Sequence, residues 1–132
     1  MTYARAVSDD EAKLAVLRDI TAAFDAHDLD RIMGHFVDDC LFEAPRGAEA
    51  HGRRVEGREA VRAAFADRFA GIPDVRYTDD SHFVAGDHGV SEWLLSGTTV
   101  EGQRIEVRGC DIWTFRGDRI AVKNSFWKIR TA

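Results

Sequence analysis

Asp111 is the residue in this chain with the clearest potential for acid or base chemistry. It is the only charge in a row of alternate positions that otherwise holds Ile105, Val107, Gly109, Trp113 and Phe115. Because side chains alternate across a strand, this row predicts a buried sheet face. A carboxylate on such a face needs a specific partner or a shifted pKa, since burial of a bare charge is very costly. The pattern therefore indicates a pocket or a buried polar cluster at Asp111.

Glu92 is a candidate for a second titrating group. If Glu101 and Gly102 form a two-residue turn, the strand register places Glu92 opposite Asp111, where two carboxylates would share a proton or bind a cation or ligand. Ser96 would then face the same way and could bind polar groups of a ligand. A β-bulge in this hairpin would instead move Glu92 to the other face, where it would be solvated or paired with an arginine. In the two-residue register the opposite face carries Trp93, Leu95, Cys110 and Ile112.

Three further polar residues lie in or beside a glycine-containing loop that spans residues 46–57. The reference pKa of His51 suits proton transfer near neutral pH, although most loop histidines are only solvated. Glu43 and Arg46 flank Pro45, where they could contact a ligand or form an exposed ion pair. These residues are secondary candidates for the site.

The last predicted strands carry aromatic and polar residues that could line a cavity. Lys123, Ser125 and Trp127 share one face by alternation. Trp113 and Trp127 each offer an aromatic wall and one N–H donor, and core packing is the ordinary role of both. Tyr77 and His82, five positions apart on an earlier strand, are expected on opposite faces, and either could line a cavity.

Hydrophobic periodicity predicts three helices followed by a strand-rich half. Ser8 and Glu11 match a capping box and predict a helix start, Asp28 can cap a second helix, and Gly71 ends a third. The predicted helices are about 9–26, a short one after Asp28, and 58–70. The predicted strands are 40–44, 75–85, 90–100, 103–116 and 120–129. This order predicts one α+β domain over residues 1–132, with a mainly antiparallel sheet.

Composition excludes several functional classes. The 132 residues carry a net charge of -5 and 45% hydrophobic side chains, with no basic footprint for nucleic acid and no apolar run long enough for a membrane span. Cys40 and Cys110 are expected to be reduced, and the N-terminus lacks a secretory signal, so we expect a cytoplasmic protein. The histidines are too scattered to predict a metal site: His27, His35, His51, His82 and His88. We also expect no cofactor.

Three segments, AHDLDRIMGHFVDDCLFEAP, GREAVRAAF and RGCDIWTFRGDRIAVKNSFWK, resemble the nuclear transport factor 2-like superfamily, which includes SnoaL-like proteins and ketosteroid isomerases. The resemblance covers nearly the whole chain. It implies a cone-shaped, cystatin-like fold, with three N-terminal helices over a curved sheet and an apolar pocket between them. Apolar residues on both sheet faces, together with this resemblance, predict a homodimer.

The resemblance is weaker for function than for fold. Asp111 falls where ketosteroid isomerases keep a protonated aspartic acid, but Ala44 and Ile20 replace their basic aspartate and oxyanion-binding tyrosine. The chain is therefore not expected to be a ketosteroid isomerase. Ser125 lies near the position of one paired aspartate of limonene-epoxide hydrolase-like proteins. That similarity suggests that the face shared by Lys123, Ser125 and Trp127 is the pocket face.

Two functions follow as expectations. The first is a cofactor-independent and metal-independent enzyme that binds a small apolar or amphipathic ligand and performs isomerase, cyclase or dehydratase chemistry, with Asp111 as acid or base and Glu92 or His51 as a second titrating group. The second is a non-catalytic ligand-binding or accessory subunit. The segments FEAPRG, SEW and RGCD are similar to SnoaL-like proteins, some of them associated with a small subunit of taurine dehydrogenase.

Overall fold

The computed structural model describes residues 2–131, with side chains from residue 9 onward. The helices are α1 (Thr2–Asp25), α2 (Leu29–Met33) and α3 (Arg58–Gly71). The strands are β1 (Phe36–Glu43), β2 (Arg54–Glu56), β3 (Arg76–Ala85), β4 (His88–Thr98), β5 (Arg104–Arg116) and β6 (Arg119–Trp127). They form one curved sheet in the order β2-β1-β6-β5-β4-β3, antiparallel except for the β1–β6 pair. The predicted α+β class is confirmed.

Three differences from the predicted elements exceed two residues, and the other boundaries agree within two. Helix α1 continues through Ser8 to Thr2, so Ser8 is not its N-cap. Strand β1 begins at Phe36 rather than Cys40, because Phe36 pairs with Ile120 of β6. The predicted loop contains β2, which pairs with β1. Both strand corrections depend on contacts between distant segments, which local periodicity does not record.

The helices cover one face of the sheet, here termed the inner face, and bury a core against it. Burial of each large side chain contributes roughly 1.5–3 kcal/mol relative to exposure. The helical members of this core are Leu17, Ile20, Ala23, Phe24, Ile32, Met33, Val61 and Phe65. The sheet contributes Phe36, Cys40, Val55, Trp113, Phe115 and Ile120. A second cluster, Ile72, Val75, Trp93 and Leu95, extends the core towards β3 and β4.

The β4–β5 hairpin has a three-residue loop, Val100–Gly102, rather than the predicted two-residue turn. Thr99 and Gln103 bond through their backbones at 2.9 Å, and Gly102 takes a left-handed conformation with φ 90° that suits glycine. The extra loop residue shifts the register by one position, so Asp111 lies opposite Ser91.

This register places the predicted β4 residues on the wrong faces. Glu92 lies opposite Cys110, and both Glu92 and Ser96 occupy the sheet face away from the helices, here termed the outer face. Trp93 and Leu95, expected outside, are buried inside. The prediction that Glu92 and Ser96 share a face with Asp111 is therefore wrong.

A bulge in β3 also changes the facing of side chains. The pairing with β4 shifts between Thr78 and Ser81, and Asp79 adopts φ 49°. Because the bulge adds one residue, Tyr77 and His82 both point inward, contrary to the prediction that they lie on opposite faces.

Gly109 permits a close approach between β5 and Trp93. A Cβ at this position would lie 2.5 Å from both the Phe126 carbonyl oxygen and the Trp93 ring. The Trp93 indole therefore lies across the glycine, with its N–H near the next inward residue of β5. Gly71 offers a contrast, since a Cβ there would meet nothing within 4 Å.

We predict that Gly109→Ala destabilises the protein by about 1–3 kcal/mol, because the added methyl overpacks the Trp93 ring and the β6 backbone. The matched Gly71→Ala should be neutral or slightly stabilising. Urea unfolding followed by circular dichroism measures both. Equal midpoints for Gly109→Ala and the unmodified protein would contradict this account of the strand contact.

Asp19 connects α1 to α2 and to His35, which follows α2. Its carboxylate accepts hydrogen bonds from Arg31 at 2.5 and 3.1 Å and lies 2.6 Å from His35 Nε2. The hydrogen bonds from Arg31 and then His35 lower the pKa of Asp19 from 3.8 to about 2, against the opposing effect of partial burial. The lower pKa means that the ionised form stabilises the folded state.

We predict that Asp19→Asn lowers the melting temperature above about pH 4, where the wild-type carboxylate is ionised in both folded and unfolded states. The difference between the two proteins should shrink as the pH falls from 3.8 towards 2, because protonation then removes the wild-type advantage. Thermal unfolding across this range measures it, with Asp67→Asn on an exposed part of α3 as control. A difference that stays constant down to pH 2 would contradict the linkage.

Candidate functional site

A buried polar cluster lies on the inner face where β4, β5 and β6 are neighbours. We define the Asp111 cluster as Asp111, Lys123, Ser125 and Trp93. The cross-strand pair Asp111 and Ser125 places two members side by side, and Lys123 is one inward position away on β6. Asp111 is 4% exposed, Lys123 7% and Ser125 4%, so the predicted burial of Asp111 is confirmed.

The Asp111 carboxylate is surrounded by donors. Oδ1 accepts hydrogen bonds from Lys123 Nζ at 2.6 Å and from Ser125 Oγ at 2.5 Å, and Oδ2 accepts from Trp93 Nε1 at 2.8 Å. Lys123 Nζ also donates to Ser125 Oγ at 2.6 Å. Three donors thus provide hydrogen bonds to both oxygens of this buried carboxyl group.

Lys123 occupies an aromatic enclosure. Its Nζ lies over four rings, at 5.1–5.8 Å from their centroids: Phe24, Phe42, Phe65 and Trp113. These distances allow cation–π attraction, which is stronger at a desolvated site. Burial nevertheless lowers the pKa of Lys123, while the adjacent Asp111 carboxylate opposes that shift. The ammonium is thus held by its counter-ion and by aromatic faces rather than by water.

A small cavity of about 40 Å³ lies next to Lys123. Its lining comprises Phe24, Phe42, Pro45, Ala64, Phe65, Arg68, Tyr77, Trp93, Lys123, Ser125 and Trp127. Pro45 and Trp127 mark its outer end, because both also line an exposed groove, and the half-buried Arg68 lies over Trp127. Within the part of the chain that the structure describes, no carboxylate lines this cavity.

Asp111 therefore lies behind the cavity wall rather than in it. Lys123, Ser125 and Trp93 stand between its oxygens and the enclosed space. Asp111, expected as acid or base, therefore does not border the cavity itself, and proton exchange with a ligand there would pass through Lys123 or Ser125. Its part in acid or base chemistry stays a prediction.

Arg68 and Tyr77 complete the polar lining. The Arg68 guanidinium stacks on the Trp127 ring at 4.4 Å, and among residues 9–131 it has no hydrogen-bonded or ion-paired partner. Burial lowers the pKa of Arg68, yet a guanidinium stays charged in proteins. Burial also raises the pKa of the Tyr77 hydroxyl, which therefore remains a neutral donor. The cavity consequently favours an electron-rich oxygen over a cation.

A second polar chain on the inner face supports the wall of the site. His82 Nδ1 lies 2.7 Å from Ser91 Oγ, which accepts from Trp113 Nε1 at 2.9 Å, and His82 Nε2 lies 2.7 Å from Asp80. These residue types match a nucleophilic triad, but Ser91 is fully buried and does not line the cavity. The hydrogen bonds from His82 through Ser91 to Trp113 orient the Trp113 ring behind Lys123.

The structure brings together part of the predicted ligand-binding set. Lys123, Ser125 and Trp127 share the inner face and line the cavity, as alternation along β6 predicted. Trp113 forms the wall behind the Lys123 ammonium. Ser96 does not join them, because the hairpin register turns it to the outer face.

The remaining predicted residues do not line the cavity. His51 is exposed in the loop, and Glu92 is exposed on the outer face. Glu43 accepts a hydrogen bond from Arg54 at 2.9 Å, so its ion pair is with Arg54 rather than with Arg46. Arg46 is exposed and lines an adjoining groove that shares Pro45 and Trp127 with the cavity.

Sequence reasoning missed Arg68 and assigned Trp93 to the wrong face. A signal for Arg68 exists in the chain, because it follows the partly buried Ala64 by four residues on α3 and shares its helical face. No comparable signal exists for Trp93, whose facing depends on the hairpin loop.

Two kinds of feature are absent from the part of the chain that the structure describes, a metal-binding cluster and a membrane-spanning helix. No group of three or more His, Cys, Asp or Glu side chains there could hold a metal ion. No helix in the same part of the chain is long and apolar enough to cross a membrane.

Solved structures share this fold at low sequence identity. A proposed polyketide cyclase from Xanthomonas campestris pv. campestris is similar, with TM-score 0.80 and 14% identity over 91% of this chain and 93% of that one. A nuclear transport factor 2-like protein from Burkholderia pseudomallei has TM-score 0.77 and 20% identity over 89% and 91%. A protein from Catenulispora acidiphila with a ketosteroid isomerase-like fold, in complex with trimethylamine, has TM-score 0.73 and 21% identity over 86% and 85%.

Sequence comparison adds a family assignment. No curated protein gives a significant match. The family model described as the SnoaL-like domain matches residues 17–123. The match begins at Leu17 in α1, ends at Lys123 in β6 and includes Asp111. The chain belongs to the SnoaL-like domain family.

Proposed function

We propose that this protein binds a small, largely apolar carbonyl compound and catalyses proton transfer on it, as in an isomerisation, cyclisation or dehydration, without a cofactor. One observation carries the proposal: the Lys123 ammonium borders a cavity with aromatic walls and is itself 7% exposed. A desolvated cation in such a site stabilises negative charge on oxygen far better than water does. The polyketide cyclase named among the similar structures supports chemistry of this kind only as an analogy of fold.

The carbonyl oxygen would accept a hydrogen bond from Lys123. Loss of a proton from the neighbouring carbon then places negative charge on that oxygen, where the ammonium stabilises it. Ser125 Oγ, which lies 2.6 Å from Lys123 Nζ and 2.5 Å from Asp111, would pass the proton between ligand and carboxylate. Asp111 thus acts as proton acceptor through Ser125.

His51 and Glu92 have no part in this mechanism. Both are exposed, and neither lines the cavity. The second titrating group is instead Lys123, which the sequence placed only among the ligand-binding residues. The Tyr77 hydroxyl, which borders the same cavity, is a further donor for the ligand oxygen.

A non-catalytic ligand-binding or accessory subunit, such as a taurine dehydrogenase-type small subunit, is the second candidate. It is favoured by the position of Asp111, whose oxygens are fully engaged and do not border the cavity. Under this alternative the Asp111 cluster only neutralises Lys123, and the ligand is bound without a chemical change.

We predict that the purified protein accelerates exchange of the α-hydrogens of 2-pentanone and cyclopentanone with deuterium in D₂O. Asp111→Asn should lower this rate about a hundredfold or more, since a positioned acid or base contributes that much. Lys123→Met should abolish it by removing the cation. Proton NMR measures the exchange.

Lys128→Met serves as the matched control, because Lys128 is exposed and outside the cavity. Its exchange rate should equal that of the unmodified protein. A rise in melting temperature with either ketone but no exchange would favour the binding module. An exchange rate unchanged by Asp111→Asn would remove that residue from the mechanism.

We also propose that the outer face of the sheet pairs with a second copy of this chain. Apolar side chains are exposed there on three strands: Phe83 is 58% exposed, Ile112 37% and Phe126 48%. Glu92 and Cys110 line a groove beside Phe126 on this face, and a two-fold contact would bury the same side chains of both copies.

We predict a dimer in sedimentation velocity at micromolar concentration, and a shift to monomer in Phe126→Asp because a charge would be buried at the contact. Val100→Asp is the matched control, since Val100 is 66% exposed but lies in the β4–β5 loop. A monomeric unmodified protein at this concentration would contradict the proposal.

A further inference from the structure

We infer that the Lys123 amine condenses with the carbonyl carbon of a small oxo acid to form an iminium, while Arg68 binds the acid's carboxylate. This inference deepens the proposed function and rests on it, because both place a carbonyl group beside Lys123. It adds a covalent intermediate and a narrower class of substrate. The observations are the buried amine at the cavity, its proton-accepting neighbours and the unpartnered guanidinium at the outer end.

Lys123 has the surroundings that a lysine nucleophile requires. An amine attacks a carbonyl only when unprotonated, and desolvation in an apolar pocket favours that form. Burial acts in this direction on Lys123. The Asp111 carboxylate, 2.6 Å away, is positioned to take the ammonium proton. The chain has two other lysines, Lys13 and Lys128, and neither lines this cavity.

The same enclosure suits the product of condensation. An iminium carries one positive charge close to the position of the ammonium that it replaces. The four aromatic rings around Lys123 Nζ and the Asp111 carboxylate can therefore stabilise both species. Apolar walls also limit access of bulk water, which would hydrolyse the intermediate.

The step balances without an external reagent. Asp111 takes a proton from the Lys123 ammonium, and the amine lone pair attacks the carbonyl carbon as the C=O π electrons move to oxygen. A proton then passes from nitrogen to that oxygen, by way of Ser125. Asp111 returns its proton through Ser125 to the resulting hydroxyl, which leaves as water while the C=N bond forms. Ammonium and ketone thus become iminium and water, and Asp111 is ionised again.

Arg68 indicates why the substrate would be an acid. Its guanidinium stacks on Trp127 at the outer end of the cavity, and its donors have no partner among residues 9–131. A guanidinium in this setting is suited to a carboxylate, which it can bind through two parallel hydrogen bonds. The space of about 40 Å³ beside Lys123 admits the carbonyl end, while the carboxylate stays at the partly exposed outer end.

Reductive trapping with sodium cyanoborohydride tests the inference. The probes are 4-oxopentanoate and 2-pentanone, which have the same carbon skeleton and differ in the terminal carboxylate. Hydride converts an iminium to a stable secondary amine, and peptide mass spectrometry locates it. We expect labelling of Lys123 by 4-oxopentanoate about tenfold or more faster than by 2-pentanone, from the charge-assisted contact with Arg68.

Matched variants separate the site from general lysine reactivity. Ala64→Leu fills the cavity and should block labelling of Lys123, whereas Ala63→Leu, on the exposed side of the same helix, should leave it unchanged. Arg68→Met should remove the preference for 4-oxopentanoate. Labelling of the exposed Lys128 should be the same in all of these proteins and reports that the reagent is active.

Two results would overturn the inference. Labelled Lys128 with unlabelled Lys123 in the unmodified protein would exclude the iminium, and equal labelling of Lys123 by the two probes would exclude the oxo acid. Ketone deuterium exchange distinguishes these failures from failure of the proposed function. If exchange depends on Asp111 but Lys123 stays unlabelled, proton transfer stands and the covalent step does not.

Discussion

The ion pair between Asp111 and Lys123 is the interaction on which the site depends. Each charge is almost completely buried, and either one alone would cost several kcal/mol to desolvate. Their contact at 2.6 Å offsets part of this cost, and Trp93 and Ser125 supply the remaining hydrogen bonds to the carboxylate. Because these residues come from β4, β5 and β6, the pair is satisfied only when all three strands are in register. The register of these three strands therefore determines both the stability of the ion pair and the geometry available for chemistry.

The positions of three charged side chains determine which ligand the cavity favours. Asp111 lies behind the wall, while Lys123 borders the enclosed space and Arg68 lies at its outer end. A cavity with this lining attracts an electron-rich oxygen and offers no exposed carboxylate base. Proton transfer to Asp111 must then pass through Ser125 or Lys123, and that requirement connects the acid and base proposal with the iminium proposal. The apolar rings around Lys123 support both proposals, since interactions between charges are screened less in an apolar enclosure than in water.

The hairpin at Gly102 shows where reasoning from sequence stops. Alternation correctly placed Asp111 on a buried face and grouped Lys123 with Ser125, because facing within one strand depends only on parity. Facing between strands depends also on the number of loop residues. The third loop residue moved Glu92 outside and brought Trp93 inside to Asp111. The bulge at Asp79 changed the facing of Tyr77 in the same way.

The sequence by itself determined the α+β class, the burial of Asp111 and the shared face of the β6 residues, since all of these follow from local periodicity. The tertiary structure alone decided the hairpin register, the pairing of Asp111 with Lys123 and the approach of Arg68 to the same cavity. The physical reason is that these contacts join segments far apart in the chain. Their geometry is set by loop length, bulges and core packing together, none of which repeats along the sequence.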